Sequence, residues 1–292
     1  MQDSNLQPSG RNQKLDPIEL WYSLCAMDRL DALESEAIHV IREARARFRR
    51  PAVLWSMGKD STTLLALCRK AYLGKIPFPV IHIDTSYKLP EMYVFRDRIA
   101  KEWGLDLVVA RNEEALAAGT GPHIGRLECC TALKTQALEG AIRRLGFDAI
   151  LLGIRRDEHG IRAKERVMSP RDHLFRWAVD GQPAELWDQY ASRAPAGAHV
   201  RVHPILHMTE LDVWRYAARE GLPFVPLYFA REGKRFRSIG CAPCCAPVDS
   251  CAASVDDVLI ELETTRTAER SGRAQDKEDA YTMQKLRALG YM

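Results

Sequence analysis

The chain has 292 residues, 46% of them hydrophobic and 28% charged, with a formal net charge of +3. That length buries a full core, that composition excludes a disordered chain, and so small a charge does not by itself indicate a nucleic-acid partner. No apolar run approaches the roughly 18 to 20 residues of a membrane helix. The polar opening "MQDSNLQPSGRNQKLDP" reads as neither signal peptide nor anchor, so residues 1–20 are expected to be a flexible tail on a cytoplasmic protein without membrane contact.

Residues 30–48 place Leu30, Leu33, Ala37, Ile41, Ala44 and Phe48 at spacings of three and four, which predicts an amphipathic helix. "PAVLWS" reads as a short buried strand and "TTLLALCRKAYLG" as a helix closed by Gly74. "FPVIHID" predicts a second strand, followed by a helix over 90–103. "LDLVVA" is a third strand and "CTALKTQALEGAIRRLG" a helix ending at Gly146. "DAILLG" and "VRVHPIL" supply a fourth and a fifth strand. "TELDVWRYAAREG" reads as a helix with a capping box from Thr209 to Asp212.

Strands alternating with helices predict an α/β fold, a doubly wound and mainly parallel sheet, over residues 21–220. From about Gly221 a Pro-rich loop, a burst of cysteines and two charged helices at 254–270 and 277–289 read as a C-terminal appendage over 221–292. Ligands of such sheets bind beyond the carboxyl ends of the strands. Ser56–Ser61, Asp84–Tyr87 and Gly153–Glu158 all follow strands directly, so they are expected to converge.

The turn in "VLWSMGKDST" carries the first chemistry. A strand–loop–helix turn presents backbone N–H groups and a helix N-terminus to an anion. Gly58 lets the backbone come close, Lys59 supplies charge, and Ser56, Ser61 and Thr62 donate hydrogen bonds; the spacing is not the Walker pattern. Asp60 is expected to cap the helix or orient Mg²⁺. Met57 is expected at negative φ, since a left-handed methionine costs about 1 kcal/mol or more. After the fourth strand, Arg155, Arg156, Arg162, Lys164 and Arg166 form a dense cationic set whose guanidinium groups suit phosphate or sulfate oxygens.

Of eight cysteines, Cys25 and Cys68 sit in helix-like surroundings and read as ordinary. The other six fall in "ECCTALK" and "GCAPCCAPVDSC", where clustered thiols point to metal or redox chemistry rather than disulfides. Cys129, Cys130, Cys241 and Cys244 form a CC…CxxC set able to hold a [4Fe–4S] cluster or zinc. The first pair is expected to open a helix, which lowers thiol pKa values. Cys245 and Cys251 are then spare. His203 and His207 read as structural. Arg42, Arg45, Arg47, Arg49 and Arg50 read as a solvated face, with a nucleic-acid track as the other option.

"SMGKDS" resembles the pyrophosphate loop of the ATP pyrophosphatase superfamily. "PFPVIHIDTSYKLPEMYVFRDR", "FDAILLGIRRDEHGIRAKER", "ELWDQY" and "TTRTAERSGRAQDKE" are similar to the small subunits of bacterial sulfate adenylyltransferases. The resemblance implies ATP with Mg²⁺, cleaved between the α and β phosphates. It places Ser56, Gly58, Lys59, Asp60, Ser61, Thr62, Asp84, Arg155, Arg156, Arg162 and Arg166 around the nucleotide, with Lys59, Asp60, Ser61 and Arg156 in the catalytic role. Between Tyr228 and Arg237 the chain is shorter than that resemblance leads one to expect. The cysteines resemble those of cluster-binding adenylylsulfate reductases, which would bring Lys134 near the cluster.

Three functions follow. An ATP-dependent sulfurtransferase with a [4Fe–4S] cluster, supplied by a cysteine desulfurase and acting on an acceptor such as a nucleic acid, accounts for both loop and thiols. Sulfate adenylyltransferase and a non-catalytic nucleotide-sensing scaffold are the alternatives. A homo- or hetero-oligomer is expected in either enzymatic case.

Overall fold

The computed structural model describes residues 28–177, 182, 184–194, 197–273 and 282–290. The tail expected at 1–20, Cys25 and the start of the helix expected at 277–289 lie outside them. Helix α1 (Arg29–Arg47) is capped by Asp28, whose side chain accepts the Asp31 N–H, and buries Leu33, Ala37, Val40, Ile41 and Ala44. Strand β1 (Pro51–Leu54) follows, buried at every residue, then α2 (Lys59–Ala71). Next come β2 (Val80–Ile83), α3 (Pro90–Glu102), β3 (Leu107–Ala110) and α4 (Glu113–Ala117).

The helix expected to run from Cys130 to Gly146 is divided into α5 (Arg126–Cys130), a π-helical turn (Thr131–Gln136) and α6 (Ala137–Leu145). Gly146 ends α6 at φ +67°, the left-handed stop its position predicts. Strands β4 (Ala149–Leu151), β5 (Met168–Pro170) and β6 (Val200–Val202) precede α7 (Glu210–Glu220). The Thr209–Asp212 capping box on α7 is present in both directions. A two-residue hairpin pairs β7 (Lys234–Arg235) with β8 (Val248–Asp249), and α8 (Val255–Thr264) and α9 (Thr282–Ala288) complete the described helices. Helix α8 stops short of the expected 270: its C-cap, the β-branched Thr265, is extended.

The sheet order is β3-β2-β1-β4-β6-β5, parallel throughout except for β5, which runs antiparallel to β6. This is the expected doubly wound α/β fold. Strand β5 escapes the sequence pattern because it is three residues long and ends in proline. Among the described residues, no helix is long and apolar enough to cross a membrane.

Candidate functional site

The loop after β1 is folded on itself. Trp55 is fully buried and its Nε1–H donates to Thr62 Oγ1 at 3.1 Å. Ser61 Oγ accepts the Ser56 N–H at 3.2 Å and donates to the Gly58 carbonyl at 3.1 Å. Met57 lies at φ +62°, so the expected negative φ is wrong. Its side chain is fully buried, and burial of a methionine is worth about 1.5–3 kcal/mol, more than the cost of about 1 kcal/mol for the left-handed backbone. Packing wins over local preference. Asp60 does not cap α2 either; the N-cap is Gly58, and Asp60 sits in the first turn.

Gly153, at the end of β4, explains how the loop is pressed from behind. A Cβ there would lie 2.8 Å from the Asp60 carbonyl oxygen and from the Ser61 backbone. Only glycine permits that approach.

Eight ionic groups then interlock around the loop. The Lys59 ammonium lies 3.2 Å from Asp60 and also pairs with Glu269. Arg155, fully buried, pairs with Asp60, with Glu269 and, at 3.0 Å, with Asp157. Glu158 pairs with Arg162 and, at 3.0 Å, with Arg270. Burial alone would raise these carboxyls, but the guanidinium groups of Arg162 and Arg270 hold Glu158 far below the usual range, and Arg155 and Lys59 lower Glu269. The Lys59 backbone N–H, at the head of α2, donates to the Tyr228 hydroxyl at 2.9 Å.

A cleft opens over this loop at the carboxyl edge of the sheet. Ser56, Gly58, Lys59, Asp60 and Ser61 line one side of it, with Arg162 and Arg270. Lys88, Lys134, Gly240 and Arg273 line another part, and Leu54, Ile83, Leu152 and Ile239 add apolar wall. The remaining residues expected at the nucleotide are placed elsewhere. Thr62 is spent on Trp55, and Arg155 lies beneath the loop rather than facing the cleft. Asp84 accepts from the Ser86 N–H and the Tyr93 hydroxyl and lies 3.5 Å from Arg111. Arg156 donates its N–H to the Leu206 carbonyl, and the Arg166 carbonyl contacts His203 Nδ1. Neither Arg156 nor Arg166 lines the cleft.

The cysteines converge on Lys134. Cys129 feels the charges of Cys130, Cys241, Lys134 and Cys244, and Cys244 those of Cys241, Lys134 and Cys130. Cys241 is buried, lies 3.2 Å from Thr85 Oγ1 and pairs through its backbone with Lys88. Burial pushes its thiol up, but Lys134, Lys88, the Thr85 bond and Arg273 together bring it down to about 7. The first pair departs from expectation: Cys129 and Cys130 close α5 instead of opening a helix, and burial with the neighbouring thiols pushes Cys129 up to about 11. Among the described residues, no group of three or more His, Cys, Asp or Glu side chains is arranged to hold a metal ion. Cys245 accepts a 2.9 Å contact from Arg273 Nη1, while Cys251 is exposed.

His203 and His207 are apart in role: the first is buried, the second pairs with Glu36 at 2.5 Å. Arg42, Arg45, Arg47, Arg49 and Arg50 are exposed; Arg42 donates to the Ala71 carbonyl and Arg47 pairs with Glu43. Glu269, Arg270, Arg273, Lys88 and Tyr228 were not singled out from sequence. The signal available was the Glu-Arg-x-x-Arg spacing inside "TTRTAERSGR", which periodicity alone cannot place in a cleft.

Comparisons with known proteins agree with this architecture. Residues 50–247 match the model of the phosphoadenosine phosphosulfate reductase domain. A sulfate adenylyltransferase subunit 2 from Pseudomonas paraeruginosa is 40% identical, with 91% of this chain and 98% of the relative covered. One from Rhodospirillum rubrum is 41% identical, with 91% of this chain and all of the relative covered. These alignments run to 295–300 positions, so the relatives carry residues this chain lacks. Among solved structures, Candida glabrata FMN adenylyltransferase with FAD and inorganic pyrophosphate superposes with a TM-score of 0.52 at 16% identity, covering 93% of this chain and 94% of the other. At that identity the likeness speaks for the fold alone.

Proposed function

The chain belongs to the phosphoadenosine phosphosulfate reductase domain family, and we propose that it transfers AMP from ATP to sulfate, releasing pyrophosphate. One observation carries the reading: a single cleft joins the Ser56–Ser61 loop to a second cationic set, Lys88, Lys134 and Arg273. ATP with Mg²⁺ sets its β and γ phosphates on the loop, where Lys59 and the amides of α2 meet the charge that develops on the leaving pyrophosphate. Sulfate, a second oxyanion, is held by the other cations. The 40% identity to proteins named sulfate adenylyltransferase subunit 2 supports this acceptor, and the word "subunit" in those names supports a hetero-oligomer.

A second reading rests on the thiols. Cys129, Cys130, Cys241 and Cys244 are thiols of the kind that ligate a [4Fe–4S] cluster and are close enough to act on one another's charge, but among the described residues no three of them are arranged to hold a metal ion. Such a cluster would supply a binding point for sulfur delivered by a cysteine desulfurase, and the adenylylated acceptor would then be a nucleic acid or small molecule. Zinc on the same thiols is the lesser variant.

Pyrophosphate release measured with sulfate, and separately with a sulfur donor, separates the two. Sulfate adenylyl transfer predicts sulfate-stimulated release that survives Cys130→Ser and Cys244→Ser. If release ignores sulfate while product formation collapses in those variants, the first reading fails and the second stands.

A further inference from the structure

We propose that Glu269 is a carboxylate latch on the phosphate loop, occupying the Lys59 ammonium that the nucleotide's terminal phosphates must take over while its other oxygen is anchored on Arg155 beneath the loop, so that binding displaces it from Lys59. The proposal rests on ATP binding at this loop and adds how the vacant loop is kept. Lys59 is 1% exposed, and its ammonium is held between Asp60 and Glu269. Asp60 is its neighbour in the chain, but Glu269 arrives from 210 residues further on, at the start of the short 3₁₀ turn Glu269–Gly272. The other Glu269 oxygen takes Arg155 Nη2. One carboxylate therefore bridges two buried cations flanking the loop.

The physical need is plain. A loop built to receive a highly charged anion leaves buried cations uncompensated when empty, and that is costly. A carboxylate accepts the same short, charge-assisted bonds that phosphate oxygens accept. Glu269 fits the task because Arg155 and Lys59 overcome its burial and keep it ionised. The same turn places Arg270 on Glu158 and brings Arg273 into the cleft lining. When the phosphates arrive, the turn gives up its one anionic contact while its two guanidinium groups remain beside the incoming charge. Nucleotide affinity is thereby lowered by whatever the Glu269 pairs contribute to the empty state.

The test uses the full-length protein with Mg²⁺ and α,β-methylene-ATP, which is not cleaved at the α–β position, and reads Kd by calorimetry. Glu269→Gln keeps the shape and removes the charge, so Kd should fall by at least about fivefold. The variant should also melt lower without nucleotide and gain more from it. Glu269→Asp, whose shorter side chain reaches Lys59 less well, should fall between the two and serves if the glutamine variant does not fold. An unchanged or higher Kd in either folded variant overturns the latch. Weaker binding with a steeper Mg²⁺ requirement overturns it too, and makes Glu269 a metal ligand. If the wild type itself does not bind the analogue, the ATP reading falls together with the latch; binding without the change sinks the latch alone.

Discussion

The phosphate side and the thiol side of the cleft compensate charge in opposite ways. Around the loop every named cation has a carboxylate: Lys59 and Arg155 share Asp60 and Glu269, and Arg162 and Arg270 share Glu158. Around the cysteines, the charges that act most on Lys88 are Cys241, Lys134, Arg273 and Cys245. Burial and the two like charges push the Lys88 ammonium below its ordinary value. One side holds its cations at rest with carboxylates, and the other gathers them among thiols. Under the proposed function, the first side would take the leaving pyrophosphate and the second the incoming oxyanion or sulfur group.

The comparison breaks most readily at Arg155. Replacing Arg155 by methionine strands Asp60, Asp157 and Glu269 around a missing cation, and should lower unfolding free energy in urea by about 3–5 kcal/mol. Lys88→Met, which relieves like-charge crowding, should be neutral or stabilising; equal losses in both variants would erase the contrast.

Lys59→Ala tests catalysis on the same side. Losing a charge-assisted contact strengthened in the transition state should slow pyrophosphate release by about 100-fold or more. Near-normal turnover in a folded variant would remove Lys59 from the reaction.

Acid should separate the two sides as well. Burial and Lys88 push the His82 imidazole down to about 4. A histidine so depressed contributes stability that is complete above its unfolded pKa of about 6.5 and is lost as pH falls toward 4, here on the order of 2 kcal/mol. Glu158 and Glu269 are depressed carboxylates, so their contribution is complete above their unfolded value of about 4.3 and is lost only below it. Melting temperature should decline between pH 6.5 and 4.5; burial depresses His199 and His203 as well, so His82→Asn should make that decline shallower without removing it. A curve flat to pH 4.5 in the wild type would contradict the assignment.

The smallest effect concerns Met57. Met57→Gly relieves about 1 kcal/mol of left-handed strain but removes a fully buried side chain worth about 2 kcal/mol or more. The net change should be a loss of roughly 1 kcal/mol; a more stable variant would show that the backbone, not packing, governs this turn.

The βαβ order was legible because buried strands and amphipathic helices write their periods locally, as in "PAVLWS" and the stripe from Leu30 to Phe48. The loop was legible for the same reason, since Ser56, Gly58, Lys59, Asp60 and Ser61 are consecutive or nearly so. Pairing is what local pattern does not carry. Its place after a strand end groups Arg155 with phosphate ligands, whereas in the fold Asp60, Asp157 and Glu269 surround it. Met57 read as a negative-φ residue until its buried side chain set the backbone. The split of the helix after Cys130 by a π turn left no mark in the hydrophobic period.

By itself, then, the sequence determined the α/β architecture, the strand–turn–helix over Ser56–Ser61 and the two cysteine bursts, because each is a short-range pattern whose energetics involve neighbours in the chain. Only the tertiary structure decided that Glu269 crosses 210 residues to reach Lys59, that Arg270 crosses 112 to reach Glu158, and that Arg273 stands beside the Cys245 thiol. Charge compensation acts through space over a few ångströms, and in a buried site the partner that offsets a cation is set by the fold rather than by the spacing of residues along the chain.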